Sequence, residues 1–139
     1  MKQQKSCGVI PYMIKNNEPY FLLVKQTNNV VCFPKGHVEE NETEEETALR
    51  ECMEETNTKV SIVSGFRQEM GYYMDEYDAY KTVVYFLGRI ESNDFSKQES
   101  EISDIFICNA EETWNLLNYH NIKEVFKQAL EFIKKSCVF

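Results

Sequence analysis

The spacing of apolar and polar positions along the chain separates strands from helices. Residues 7–13 and 20–26 are short, β-prone apolar runs, and a turn-forming segment with two asparagines and a proline lies between them. This pattern predicts a β-hairpin. Further apolar runs predict strands at residues 59–63, 81–90 and 105–108, of which 81–90 is long and apolar enough to be central.

Two segments show helical patterns. Thr43 and Glu46 form a Thr-x-x-Glu capping box, which predicts a helix over residues 44–56. Near the end of the chain, apolar residues recur at helical spacing, which predicts a C-terminal amphipathic helix. These residues are Ile122, Val125, Phe126, Ala129, Phe132 and Ile133. Strands with helices on more than one face indicate an α/β/α layered arrangement.

Composition narrows the class of protein. A length of 139 residues is typical of one compact domain, and we expect residues 1–139 to form it. A formal net charge of −8 argues against broad attraction to nucleic acid or to an anionic membrane. No stretch approaches the ~20 apolar residues of a membrane span, and the polar start lacks a signal-peptide pattern, so we expect a cytoplasmic protein.

Five scattered cysteines form no Cys-x-x-Cys pair. This pattern predicts reduced thiols, most of them in the core, rather than a zinc or redox site. They are Cys7, Cys32, Cys52, Cys108 and Cys137.

The segment GHVEENETEEETALRECMEE, residues 36–55, concentrates glutamates on the predicted helix. On an ideal helix Glu51, Glu54 and Glu55 fall within about 100° of one another. The opposite side is expected to face the core and carries Ala48, Leu49, Cys52 and Met53. Carboxylates at this spacing repel one another, and the last helical turn disfavours anions. A solvated acidic face is the plain alternative, but a hard divalent cation such as Mg²⁺ would relieve both penalties.

Six positions of this segment resemble the Nudix box, Gly-x5-Glu-x7-Arg-Glu-U-x-Glu-Glu-x-Gly-U, where U is a bulky aliphatic residue. The matching residues are Gly36, Glu42, Arg50, Glu51, Glu54 and Glu55. Cys52, Asn57 and Thr58 depart from the pattern, although asparagine is the non-glycine residue best suited to a left-handed helix cap. The resemblance implies a Nudix-type α/β/α sandwich with a mixed central β-sheet, whose catalytic helix follows a Pro-Lys-Gly loop.

The resemblance also implies roles for these residues. One to three Mg²⁺ ions, or Mn²⁺, would be held by Glu51, Glu54, Glu55 and a backbone carbonyl near Lys35 or Gly36. Arg50 would orient the acidic cluster, and Glu42 would be a further carboxylate of the metal shell or a structural one. The general base stays open among Glu101, which we favour, Glu99 and Glu42.

Beyond the box, the similarity is greatest to asymmetrical diadenosine tetraphosphate (bis(5′-nucleosyl)-tetraphosphate) hydrolases. It is carried by the runs SCGVI, YFLLV, FPKGHVEENET, GFRQEMGYY and KTVVYFL. The run PKGHVE is the most diagnostic, because MutT-type enzymes have Pro-Gly-Gly there. By this similarity Lys35, His37 and Lys81 would contact the phosphate chain. Tyr72 and Tyr85 would line the nucleotide pocket, with Tyr72 stacking on a base.

The implied reaction is the metal-dependent hydrolysis of a small nucleoside polyphosphate, with diadenosine tetraphosphate giving ATP and AMP. Two alternatives stay open from the sequence. One is pyrophosphohydrolysis of another nucleotide, such as a nucleoside triphosphate, a nucleotide sugar or an RNA 5′ end. The other is a Nudix module that binds nucleotide without catalysis. The sequence leaves monomer and dimer equally open.

Overall fold

A computed structural model of the chain describes residues 1–92, 94–98 and 100–136. Within them, seven strands form one sheet: β1 (Lys2–Lys15), β2 (Glu18–Gln26), β3 (Val31–Cys32), β4 (Lys35–His37), β5 (Val60–Met74), β6 (Ala79–Ile90) and β7 (Ile102–Asn109). The helices are α1 (Glu44–Thr56), α2 (Ala110–Leu116) and α3 (His120–Ser136), with a short 3-10 helix at Asp75–Tyr77. No helix in the described ranges combines the length and the apolar character needed to cross a membrane.

The sheet is mixed. Its strands follow the order β3-β2-β1-β6-β5, with β4 also pairing with β1 and β7 with β2. Strand β1 runs parallel to β6 and antiparallel to β2, so the predicted hairpin is confirmed. It turns at Asn16 and Asn17, which both have positive φ angles, 54° and 63°. The strand predicted at residues 59–63 is only the first part of β5.

Helices cover both faces of the sheet, which confirms the α/β/α sandwich. Helix α1 packs on one face in a cluster with β1, β5 and β6, made of Cys7, Val9, Ala48, Cys52, Val60, Val84 and Phe86. Helix α3 packs on the other face, where Phe126 contacts Phe21 edge-on with ring centroids 4.8 Å apart. Cys7, Cys32, Cys52 and Cys108 are buried and free, as predicted, and Cys137 lies outside the described residues.

The helix predicted at residues 44–56 is confirmed as α1. The Thr43 hydroxyl accepts a hydrogen bond from the Glu46 amide at 3.1 Å, and Glu46 Oε1 accepts one from the Thr43 amide at 2.8 Å. At the other end, Asn57 adopts the left-handed conformation, with φ 54° and ψ 38°, and its amide donates to the Met53 carbonyl. Both caps satisfy backbone groups that the helix itself leaves unpaired.

The prediction that Ala48, Leu49, Cys52 and Met53 form one core-facing side of α1 is wrong for two of them. Ala48 and Cys52 are fully buried, but Leu49 is 36% exposed and Met53 is 42% exposed. Adjacent helical residues are separated by about 100°, so a stripe through positions 48, 52 and 56 excludes Leu49 and Met53. The neighbouring stripe against the sheet holds Glu55, which is buried.

Glu44 links the first turn of α1 to two strands. Its carboxylate accepts hydrogen bonds from Arg67 of β5 at 2.9 and 2.8 Å, and it pairs with Lys5 of β1 at 2.5 Å. These contacts, the hydrogen bonds from Arg67 first, lower the pKa of Glu44 to about 2. The helix start is therefore fixed to the sheet by a charge that acid removes.

Glu44→Gln is expected to lower the free energy of unfolding at pH 7 by ~0.5–1 kcal/mol, because the ion pairs are partly exposed. The pKa of Glu44 is lower in the folded than in the unfolded chain, so its contribution is complete above about pH 5 and disappears towards pH 2. Urea unfolding at pH 7 and pH 3 measures the effect, with the exposed Glu45→Gln as the control. A difference between Glu44→Gln and wild type that does not shrink at pH 3 would contradict it.

Candidate active site

Arg50, in the middle of α1, connects Glu42, Glu51 and Glu54. Its Nε and Nη2 donate to the two carboxylate oxygens of Glu42 at 2.6 and 3.0 Å, a geometry that the planar guanidinium favours. Its Nη1 donates to Glu51 at 2.9 Å and to both oxygens of Glu54 at 3.2 Å. Nη2 also donates to the His37 carbonyl at 3.0 Å, which ties α1 to β4. The guanidinium therefore fixes the relative positions of these carboxylates.

Glu42 is engaged by hydrogen bonds on several sides. Besides Arg50, the Glu39 amide donates to it at 3.0 Å and the Thr47 hydroxyl at 2.8 Å. The hydrogen bond from Arg50, followed by that from Glu39, lowers the pKa of Glu42 to about 2. A carboxylate this acidic is a poor proton acceptor near neutral pH. The structure thus favours a structural role for Glu42 among the two that the sequence leaves open.

Glu51 and Glu55 bring two carboxyl groups close together beside β4. Glu55 is 4% exposed, and the side chain of Glu51 is 14% exposed. Burial, followed by the neighbouring Glu51 carboxyl group, raises the pKa of Glu55 far above its usual range. Gly36 of β4 lies directly against Glu51, because a Cβ atom placed on it would stand 2.1 Å from Glu51 Cδ. A buried carboxyl group beside a second, nearly buried one needs a proton or a cation to balance the charge.

The donor set around Gly36 has the chemistry that a hard divalent cation prefers, because carboxylates and a backbone carbonyl supply only oxygen. As they stand, however, no three carboxylate, imidazole or thiol side chains within residues 1–92, 94–98 and 100–136 are arranged to hold a metal ion. Arg50 Nη1 already binds oxygens of both Glu51 and Glu54. Glu54 is half exposed and is joined to Glu51 through Arg50, so the predicted ligand set stays a prediction.

Basic side chains lie in the same part of the structure as Glu51 and Glu55. Burial, followed by the charge of Lys35, lowers the pKa of Lys81 to about 8. Burial and the charges of Lys81 and Lys35 also lower the pKa of His37. Neither lysine forms an ion pair within the described part of the chain. Lys35 and Lys81 are therefore not engaged in salt bridges and are suited to an anion.

The acidic and basic groups line one cavity of about 530 Å³, the charged cavity. Its charged lining residues are Lys35, His37, Glu39, Glu51, Glu55, Lys81 and Glu101, and Gly36 lines it too. Glu54, a predicted metal ligand, does not line this cavity. The carboxylates by themselves would repel a polyanion. If the lysines alone bound the anion, the carboxylates of the cavity would have no role in binding it. A phosphate chain held between lysines and carboxylate-bound cations uses both.

A second cavity, of about 710 Å³, adjoins the charged cavity, and Gln26, Asn28 and Lys35 line both. We call it the tyrosine cavity, because it is lined by Tyr72, Tyr73, Tyr77, Tyr85 and Tyr119. Tyr85 is fully buried and packs edge-on against Phe33, with ring centroids 6.1 Å apart. The other tyrosines are partly or largely exposed and leave ring surface open. Aromatic surface beside an anion site suits a nucleotide base.

The structure separates the candidates for the general base. Glu101 lies immediately before β7 and lines the charged cavity together with Glu51 and Glu55. Glu42 does not line this cavity, and its carboxylate is hydrogen-bonded to Arg50. Glu99 lies outside the described residues. Of the two candidates that the structure describes, Glu101 has the better position.

The sequence patterns did not identify Tyr119 and Ser6 as residues of the candidate site. Tyr119 lies just before α3 and reaches the tyrosine cavity from a part of the chain 47 positions after Tyr72. Ser6 lies within β1 and lines the charged cavity. No local pattern marks either residue, because only the packing of distant segments brings them to the cavities.

A model of the NUDIX domain matches residues 2–130 of this chain. The chain is also similar to bis(5′-nucleosyl)-tetraphosphatase [asymmetrical] of Sus scrofa, with 28% identity over 141 residues, covering 93% of this chain and 95% of the relative. The run of matched residues includes both cavities and all of α1.

Two solved structures show the same fold. A binary complex of C. elegans Ap4A hydrolase superposes with a TM-score of 0.87 at 22% identity, covering 95% of this chain and 98% of that one. The NUDIX domain of Shewanella oneidensis NrtR, complexed with ADP ribose, superposes with a TM-score of 0.74 at 17% identity, covering 96% and 90%. The mixed sheet between helical layers is thus a shared architecture.

Proposed function

Because this chain belongs to the Nudix domain family, we propose that it hydrolyses a phosphoanhydride bond in a nucleoside polyphosphate, with diadenosine tetraphosphate as substrate and ATP and AMP as products. The strongest support is the meeting of two cavities at Lys35, one with lysines and carboxylates and one with tyrosines. A polyphosphate chain requires the charged cavity, and a nucleotide base requires the tyrosine cavity. The name of the Sus scrofa relative supports a tetraphosphate substrate.

A divalent cation completes this proposal. Glu51, Glu54 and Glu55, with a backbone carbonyl near Lys35 or Gly36, would hold one to three Mg²⁺ or Mn²⁺ ions. When bound, such ions neutralise phosphate charge and lower the pKa of coordinated water. The burial of Glu55 beside Glu51 and the close approach of Gly36 to Glu51 support this assignment.

The residues of the chain would divide the remaining tasks. Lys35, His37 and Lys81 bind the phosphate oxygens, and Arg50 holds the carboxylates of Glu51 and Glu54 in place. Glu101 accepts a proton from the attacking water, whose oxygen forms the new bond to phosphorus. The bond from that phosphorus to its bridging oxygen breaks, and the bridging oxygen leaves with the departing nucleotide.

The two alternatives differ from this proposal in observable ways. Another capped or triphosphorylated nucleotide would use the same charged cavity, but an RNA 5′ end would bring a long polyanion towards a chain of net charge −8. A module that only binds nucleotide would have no use for an acidic cluster as costly as that of α1.

A substrate panel tests the proposal. Wild-type protein would be incubated with Mg²⁺ and diadenosine tetraphosphate, nucleoside triphosphates, nucleotide sugars or triphosphorylated RNA, and the products would be separated by chromatography. We expect the highest kcat/KM for diadenosine tetraphosphate, with ATP and AMP formed in equal amounts. Preferred turnover of another substrate would contradict the tetraphosphate assignment, and no turnover of any would favour the binding module.

Mg²⁺ is expected to stabilise the folded protein before any substrate is added. A cation that binds the native state alone adds about 2.7 kcal/mol to the free energy of unfolding at a concentration one hundred times its dissociation constant. Thermal unfolding with increasing Mg²⁺, at constant ionic strength set by NaCl, measures this effect. A melting temperature independent of Mg²⁺ would count against the carboxylate site.

A further inference from the structure

Two buried side-chain oxygens among the described residues, Ser6 Oγ and Tyr85 Oη, make no hydrogen bond within the protein. Both residues are 0% exposed. Ser6 lines the charged cavity, and Tyr85 lines the tyrosine cavity. Since a buried hydroxyl without a partner reduces stability, native proteins keep few of them. Both lie at these cavities, where a bound ligand would be placed to supply the missing hydrogen-bond partner.

Ser6 occupies a central position among the basic side chains. It pairs directly with His37 of β4, and Lys35 lies two residues before His37 on that strand. Lys81 lies two residues before Val83, the β6 partner of Ser6. Because side chains alternate between the faces of a strand, Ser6, Lys35, His37 and Lys81 lie on the same face of the sheet.

We propose that the Ser6 hydroxyl donates a hydrogen bond to a non-bridging phosphate oxygen of the nucleoside polyphosphate, and so adds a binding residue to the three basic ones. This inference rests on the proposed function. Glu51 and Glu55 also line the charged cavity, yet Ser6 Oγ bonds to neither of them. The lysines are flexible point charges, whereas a buried serine on a central strand offers one donor at a fixed place.

The proposal gives Ser6→Ala opposite effects on the free and the bound protein. In the free protein the substitution removes a hydroxyl that lacks a partner, so the melting temperature should stay equal or rise. In the bound protein it removes a hydrogen bond to a charged group, so affinity should fall. A serine that served only the fold would show the reverse: a lower melting temperature and unchanged affinity.

The test measures binding by calorimetry in the presence of Mg²⁺, with two probes that need no turnover. One is a methylene-bridged, non-hydrolysable analogue of diadenosine tetraphosphate, and the other is inorganic triphosphate. We expect Ser6→Ala to raise both dissociation constants about tenfold to a hundredfold, the usual effect of losing a hydrogen bond to a charged group. Ser6→Cys, which keeps the volume but donates poorly, should show a similar increase.

Ser103→Ala is the matched control, because the Ser103 hydroxyl donates to the backbone carbonyls of Lys25 and Gln26 on the surface. Its dissociation constants should equal those of wild type. An increase of less than threefold in Ser6→Ala, or wild-type affinity in Ser6→Cys, overturns the role of Ser6. Wild-type protein that binds neither probe would overturn the proposed function as well, whereas wild-type binding with an unaffected Ser6→Ala would overturn the role of Ser6 alone.

Discussion

Glu54→Gln is expected to reduce kcat for diadenosine tetraphosphate by roughly a hundredfold or more, because it removes a charged oxygen donor from the proposed cation site. The fold should survive. The side chain of Glu54 is half exposed, and its hydrogen bonds go to Arg50, which retains Glu42 and Glu51 as partners. Steady-state kinetics at saturating Mg²⁺, with circular dichroism as the check on folding, measures both effects.

Glu45→Gln is the matched control for this substitution, because Glu45 is an exposed glutamate in the first turn of the same helix and, unlike Glu54, makes no hydrogen bond to Arg50. It should change kcat by less than twofold, as surface substitutions away from a site usually do. A folded Glu54→Gln protein with near-normal turnover would refute the assignment of Glu54 as a metal ligand, and it would restrict the acidic site to Glu51 and Glu55.

Local interactions made α1 predictable from the sequence. The capping box needs only Thr43 and Glu46, three residues apart, and the left-handed end needs only the tolerance of Asn57 for positive φ. The hairpin of β1 and β2 was equally accessible, because its turn holds two consecutive asparagines. In each case the residues that determine the conformation are neighbours in the chain.

The pairing of strands that are distant in sequence could not be predicted in the same way. Strand β1 lies beside β6, and Ser6 pairs with Val83, 77 positions further along. A strand pattern indicates which residues alternate but not which strand lies beside which. The mixed character of the sheet was therefore predicted only from the family resemblance, and the order of its strands is known only from the structure.

The candidate site was also predictable only in part. The Nudix-box resemblance named the carboxylates and Arg50, but an ideal helix wheel placed Glu55 on an acidic face away from the core, whereas it is buried at the sheet. Burial makes a carboxyl group beside another one costly, which a solvated helix face would avoid. Glu55 beside Glu51 therefore needs a proton or a cation, a requirement that spacing alone does not reveal.

Gly36→Ala is expected to lower kcat about a hundredfold with little loss of stability, since a displacement of about 1 Å in an active site can have that effect. Gly36 does not have a positive φ angle, so its backbone accepts alanine. The new Cβ atom would stand 2.1 Å from Glu51 Cδ and 2.3 Å from both carboxylate oxygens. A flexible side-chain end can move away, and Glu51 would then leave the position that Arg50 and Glu55 define. Steady-state kinetics measures the change in kcat, and thermal unfolding measures the change in stability.

Gly71→Ala is a close control, because Gly71 is also a strand glycine whose Cβ atom would meet the end of a side chain, Tyr80 Oη, at 2.2 Å. Tyr80 is 39% exposed and lines neither cavity, so it can move without consequence for the site. If the proposal is correct, the two variants have similar melting temperatures and very different turnover. Equal turnover in Gly36→Ala and Gly71→Ala would mean that the position of the Glu51 carboxylate does not limit the reaction.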